Sequence, residues 1–287
     1  MKTRPRLGQN FLIDMRAAGR IVSALGEISN RTVVEIGPGR GAITSALAGH
    51  AAHVLAIELD RPLAARLREK FPAERVTVIE QDVLDFDFVA AAQRPAPGLG
   101  LAERMPVVGN LPYYITSPIL LKLAASHAAL DLAVLMVQRE VADRVAAQPG
   151  SRDYGLLSVT VQMYGPVERL FTLPPSAFSP PPEVYSTVFR WRFAPRFAQL
   201  NVEESAFLRF VRTAFAQKRK TLANNLRAAG ISPAVASAAL TAAGVTAGAR
   251  AESLSIDVLA AIWRFLRTEN AAMGSPPAPS KSVRANF

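Results

Sequence analysis

Five short, β-branched apolar runs separated by helical stretches constrain this chain more than any other feature. They fall at residues 32–36, 54–57, 76–79, 106–108 and 132–137. Residues 42–48 and 62–71 read as intervening helices, and in the second Leu63 and Leu67 lie one turn apart. Strands spaced by helices run parallel, because the helix supplies the crossover that returns the chain to the same edge. The expected fold class is α/β, a doubly wound, Rossmann-like sheet. Ligands in such sheets bind beyond the carboxyl ends of the strands. That rule gathers residues 37–41, 58–60, 82 and 109–114 along one rim.

The character changes near residue 195. Phe207, Phe210, Val211, Ala214 and Phe215 recur with helical period. Residues 205–251 contain no acid but include Arg209, Arg212, Lys218, Arg219, Lys220, Arg227 and Arg250. A further amphipathic helix is expected over 255–267, with Ser255 as N-cap and Ile256, Leu259, Trp263 and Leu266 facing inward. The expected organisation is a Rossmann-like domain over 1–195 and a small, basic, all-α domain over 196–270. Residues 94–100 read as a surface loop insertion, and the Pro- and Ser-rich residues 271–287 as a disordered tail.

The 33 Lys and Arg against 23 Asp and Glu give a net charge of +10, which favours an acidic partner: nucleic acid or an anionic membrane surface. Charge speaks to partner and not to chemistry. The absence of cysteine excludes disulfides, thiolate nucleophiles and Cys-based zinc sites. His50, His53 and His127 read as structural residues, and no metal is expected. The first residues lack the apolar core of a signal peptide, and no stretch has the length of a membrane span, so a soluble cytoplasmic protein is expected.

Gly37, Gly39 and Gly41 stand where the first strand turns into a helix. Glycines there permit positive φ and close approach of a ligand to the backbone. A tight turn without a ligand explains the same pattern. The G-x-G-x-G spacing differs from the G-x-G-x-x-G dinucleotide fingerprint. Glu58, ending the second strand, can accept hydrogen bonds from a ribose diol; NAD and S-adenosylmethionine ask for this equally. Asp82 closes the third strand, where an acid reaches a cofactor's adenine or merely caps the next helix.

Asn110-Leu111-Pro112-Tyr113 is the sharpest signal. An adenine exocyclic amine is a poor nucleophile because its lone pair is delocalised into the ring. Acceptors aimed at its N–H groups promote attack on a methyl group and stabilise the charge that develops. The Asn110 side-chain oxygen and the Leu111 carbonyl are the candidate acceptors. Pro112 stiffens the turn, and Tyr113 offers a face on which an extruded base stacks. An isolated proline turn with a half-buried tyrosine is the rival account, and it weakens once the glycines and both acids share the rim.

On these motifs the chain resembles the ribosomal RNA adenine dimethyltransferase family, over roughly residues 4–270. Leu7-Gly8-Gln9-Asn10-Phe11-Leu12 is similar to the family's N-terminal cofactor-closing segment. The resemblance implies cofactor contacts from Asn10, Leu12, Gly37, Gly39, Glu58, Asp82, Val83 and Asn110. Phe178-Ser179-Pro180-Pro181-Pro182-Glu183-Val184 resembles the family's F-x-P-x-P-x-V segment and implies that Phe178 stacks on the target base opposite Tyr113. Residues 217–226 resemble the opening of the C-terminal domain of the small-subunit enzymes. A solvated basic helix face is the ordinary account of Lys218, Arg219 and Lys220, but beside an adenine-modifying site RNA phosphate contact is expected of them. Tyr114 and Tyr185 depart from the pattern, standing where asparagine and an acid are usual.

The resemblance implies S-adenosylmethionine-dependent N6,N6-dimethylation of two adjacent adenosines near the 3′ end of small-subunit (16S) rRNA during ribosome assembly, by a monomer. Rival readings are the same chemistry on large-subunit rRNA, a DNA adenine methyltransferase, a non-catalytic assembly factor and an NAD-dependent dehydrogenase.

Overall fold

The computed structural model describes residues 10–94 and 104–272. Residues 7–9, most of the expected 94–100 loop and nearly all of the expected tail lie outside them. The chain forms two compact units, one of residues 1–142 and 164–194, the other of residues 143–163 and 195–287.

In the first unit the strands are β1 (Phe11–Leu12), β2 (Thr32–Ile36), β3 (His53–Glu58), β4 (Val76–Glu80), β5 (Met105–Asn110), β6 (Leu130–Gln138), β7 (Val167–Leu173), β8 (Phe178–Ser179) and β9 (Ser186–Arg192). A seven-stranded sheet runs in the order β4-β3-β2-β5-β6-β9-β7, and β1 pairs with β8 apart from it. Strands β2 to β6 pair in parallel, each within a residue or two of its expected span. Val33, Val34, Val54, Val107, Val108 and Val134 are fully buried, as both faces of a parallel sheet require. Helices Met15–Ser23 and Ala42–Ala48 add Ala17, Ala18, Ile21, Val22, Ile43 and Leu47 to the core.

Strands β7 and β9 were not expected. They pair antiparallel at one edge and carry Glu168, Arg169, Arg190 and Arg192 among apolar residues, which masks the β-branched signature of the buried strands. Gly109 lies within the β5 pairing with β2. A Cβ there would stand 2.7 Å from the Ile36 carbonyl oxygen, so only glycine lets these strands close up beneath the rim.

The second unit is helical. Helix Glu204–Ala214 buries Phe207, Phe210, Val211 and Ala214, the expected stripe. Phe207 meets Trp263 of helix Ile256–Ala272 edge-on, with ring centroids 6.1 Å apart. Ser255 Oγ accepts from the Val258 amide at 3.2 Å, as an N-cap does. Residues 143–163, assigned by sequence to the first domain, group here. Helix Leu156–Met163 packs against Glu204–Ala214, Tyr154 sets its ring edge-on to Phe215, and the Gly150 amide donates to the Glu252 carbonyl at 2.7 Å. Among the described residues no helix is long and apolar enough to cross a membrane.

Candidate active site

The floor of the site is the turn after β2. Gly37, Gly39 and Gly41 all take positive φ, at 64°, 57° and 79°, and lead into helix Ala42–Ala48. The Gly37 amide donates to the Ile57 carbonyl at 2.9 Å, tying the turn to β3. The Gly39 amide donates to Glu58 Oε2 at 3.0 Å. Phe11 lies over the turn so closely that a Cβ on Gly39 would stand 2.9 Å from its ring. The Arg40 guanidinium sits 4.4 Å from the centroid of that ring. The turn is thus a covered cradle that a side chain would fill.

Glu58 ends β3 with its second oxygen accepting from the Asp60 amide at 2.9 Å. Burial raises its pKa, opposed by the backbone hydrogen bonds from Asp60 and Gly39. Glu35, within β2, is fully enclosed, and burial pushes its carboxyl up to about 8. The Thr44 hydroxyl donates to it at 2.6 Å. The chain continues from β4 to Gln81, whose amide donates to the Glu58 carbonyl at 3.1 Å, and then to Asp82. Asp82 Oδ1 accepts from the Leu84 amide at 2.9 Å in a local turn at the rim, while the next helix, Phe88–Ala92, is capped by Asp87 and not by Asp82.

The far wall is the end of β5. The Leu111 amide donates to the Met136 carbonyl at 3.0 Å and the Leu111 side chain is buried, which pins the turn. Pro112 takes φ −59° and ψ 128°, and its carbonyl accepts from Thr116 Oγ1 at 3.1 Å. The Asn110 side-chain nitrogen donates to the Asn10 carbonyl at 2.9 Å. That contact fixes the amide: an oxygen facing the carbonyl would be repelled, so Oδ1 is the atom left to the cleft. The Tyr113 hydroxyl pairs with Ser186 Oγ at 2.7 Å, and burial raises its pKa. Tyr114 is 57% exposed, its pKa raised by burial and by the charges of Asp82 and Glu58.

Asn10, Gly37, Gly39, Glu58, Asp82, Val83, Asn110, Leu111, Pro112 and Tyr113 line one cleft. Ile36, Ile57, Leu59, Ile115 and Ile119 supply apolar walls. Apolar walls around a few convergent polar groups are what a nucleoside-containing ligand needs. The chain therefore fits S-adenosylmethionine: a carboxylate for the ribose, a glycine cradle for close approach and an apolar slot for the ring.

Two expected residues are not brought there. Leu12 and Phe178 are 6% and 2% exposed, and they oppose each other in the β1–β8 pair. Alternation along β1 turns Phe11 to the cleft and Leu12 into the core, and pairing carries Phe178 in with it. Phe178 is therefore a core residue in this structure. Lys218, Arg219 and Lys220 belong to the other unit, exposed in the turn between helices Glu204–Ala214 and Leu222–Ala228. The buried Asn225 amide clamps that turn by donating to the Ala214 carbonyl at 2.7 Å. Sequence reasoning does not single out Phe11 or Ser186. Phe11 is adjacent to Asn10 and so within reach of the motif, whereas nothing local marks Ser186. Among the described residues no group of three His, Asp or Glu is placed to hold a metal.

The family model described as ribosomal RNA adenine dimethylase matches residues 1–267. A ribosomal RNA small subunit methyltransferase A of Acidobacterium capsulatum is 60% identical, covering 92% of this chain and 92% of its own. A protein with the same name from Koribacter versatilis is 50% identical, covering 91% and 94%. The 23S rRNA methyltransferase ErmE is 26% identical in its crystal structure, with a TM-score of 0.67, over 90% of this chain and all of its own. A dimethyladenosine transferase from Plasmodium falciparum shares the fold at 22% identity and a TM-score of 0.70, over 91% and 98%.

Proposed function

The chain belongs to the ribosomal RNA adenine dimethylase family, and from that premise we propose that it dimethylates N6 of two adjacent adenosines near the 3′ end of small-subunit (16S) rRNA during ribosome assembly. It is an S-adenosylmethionine-dependent methyltransferase. When bound, that cofactor supplies a methyl group on a positively charged sulfur. Asn10, Gly37, Gly39, Glu58, Asp82 and Val83 hold it.

The observation that carries the reading is the orientation of Asn110, whose Nδ2 is spent on Asn10 and whose Oδ1 is left to the cleft. Oδ1 and the Leu111 carbonyl accept the N–H groups of the target amine, localise its lone pair and stabilise the cation that forms. Pro112 keeps both acceptors on one side of the turn. Tyr113, held by Ser186, is the stacking face for the extruded base. No strong base is required, because the methylated nitrogen is cationic and sheds its proton readily. The monomethylated amine keeps one N–H, enough for one acceptor in the second round. Lys218, Arg219 and Lys220 contact phosphates, and the protein acts as a cytoplasmic monomer.

The test is to incubate the protein with methyl-labelled S-adenosylmethionine and small subunits from cells lacking the modification, with large-subunit RNA in parallel. Dimethyladenosine in small-subunit RNA alone is expected. Label only in large-subunit RNA moves the substrate, and no label with tight subunit binding leaves an assembly factor.

A further inference from the structure

Strands β5, β6 and β9 lie side by side, with Asn110 opposite Met136 and Gln138 opposite Ser186. Their facing ends form one stretch of the rim. Beyond Asn110 that stretch carries a pair the cleft does not use. Tyr185 immediately precedes β9 and is 47% exposed, a large ring left in solvent. Arg139 immediately follows β6, and its guanidinium lies 5.4 Å from the Tyr185 ring centroid. Its amide donates to the Tyr185 carbonyl at 2.9 Å, so the two residues are tied by backbone as well as by ring. The next residue, Ser186, turns the opposite way, as successive residues of an extended chain do, and holds the Tyr113 hydroxyl.

We infer that Tyr185 and Arg139 form a second stacking platform, which takes the nucleobase flanking the target adenosine while Arg139 faces the adjoining phosphate. The inference rests on the proposed RNA substrate. The platform is two strands across from Asn110, about 10 Å at ordinary strand spacing, and three residues further along the strands, about 10 Å more. It therefore lies about 14 Å away in all, a span that an extended neighbouring nucleotide reaches. An exposed aromatic ring braced by a guanidinium is the arrangement that binds single-stranded bases without reading their edges. Positive charge beside the ring suits a polyanion and not an apolar partner.

The test is steady-state methylation of unmodified small subunits by the full chain and by Tyr185→Leu, Tyr185→Phe, Tyr185→Trp and Arg139→Ala. Tyr185→Leu is expected to raise KM for the subunit by roughly 5- to 100-fold, the range that removal of a base–aromatic stack produces. S-adenosylmethionine affinity and thermal midpoint stay at wild-type values. Phe and Trp restore KM because either ring stacks, and Arg139→Ala shifts KM in the same direction as Tyr185→Leu. An unchanged KM in Tyr185→Leu overturns the platform and leaves the proposed reaction standing. A fall in kcat alone, shared by the Phe and Trp variants, overturns it too and makes Tyr185 a brace for Ser186 and Tyr113. If the wild-type chain labels no small-subunit RNA, the reaction and the platform fall together.

Discussion

The Asn110 side-chain nitrogen lies 2.9 Å from the backbone oxygen of Asn10, a contact that spans 100 residues of sequence. It joins the strip of chain covering the glycine turn to the residue proposed to face the target amine. Covering the glycine turn and fixing the Asn110 amide therefore share one contact. A mutation on either side should disturb both.

Ser186→Ala frees the Tyr113 hydroxyl from its one side-chain partner at 2.7 Å. One neutral hydrogen bond contributes about 1 kcal/mol, so kcat/KM for RNA should fall by roughly fivefold. S-adenosylmethionine affinity should not move, and Tyr113→Phe should give the same loss. Measured by steady-state kinetics and cofactor titration, a larger loss in cofactor affinity than in kcat/KM contradicts this role for Ser186.

Gly39→Ala forces a Cβ to within 2.9 Å of the Phe11 ring at φ 57°. The backbone conformation alone costs about 1–2 kcal/mol, and Phe11 must leave its place over the turn. Calorimetric titration should show S-adenosylmethionine affinity reduced by at least tenfold. Wild-type affinity in this variant would mean that the cover over the turn is not part of the cofactor site.

Glu35 gives a pH dependence with a definite sign. Its pKa is about 8 in the folded protein against 4.5 ordinarily, because burial disfavours the carboxylate. Below 4.5 both states hold the proton and the group costs nothing. Between 4.5 and 8 the unfolded chain releases a proton that the folded chain retains, so stability falls as pH rises, and it levels off above 8. Glu35→Gln, which keeps an acceptor for Thr44, should melt above wild type at neutral pH, with a gap that widens from pH 5 to 8 and closes in acid. Parallel melting curves across that range contradict the assignment.

Lys218, Arg219 and Lys220 are exposed in one turn. Replacing all three with glutamine should weaken subunit binding and flatten its dependence on salt. Each phosphate that is no longer neutralised lowers the slope of log K against log salt by about 0.7–0.9. An unaltered slope places the phosphate-binding surface elsewhere.

The parallel half of the sheet and most of the rim were legible because burial on both faces leaves short β-branched runs such as Thr32-Val33-Val34-Glu35-Ile36, broken only by the buried Glu35, and a turn glycine ends the first of them. Strands β7 and β9 were not legible, since each mixes charged with apolar residues. Leu12 and Phe178 show a different limit at the site. Each belongs to a segment with the right motif, but their mutual pairing, set by tertiary packing, sends both inward. Ser186 carries no local mark of its partnership with Tyr113, 73 residues away. Residues 143–163 follow directly on the strand-and-helix pattern, and the contacts that tie them to the helical unit, such as Tyr154 meeting Phe215 and Gly150 meeting Glu252, are tertiary and leave no local mark.

The most direct test of the central claim is the single-turnover rate of methyl transfer to unmodified small subunits by Asn110→Ala, at saturating S-adenosylmethionine and subunit, with the product nucleosides quantified. Loss of an acceptor that acts on developing charge should slow transfer by about 100- to 1,000-fold, with an unchanged thermal midpoint and retained subunit binding. Transfer within a few-fold of wild type would contradict the account, because the acceptor held out by Asn10 would then not be what activates the amine.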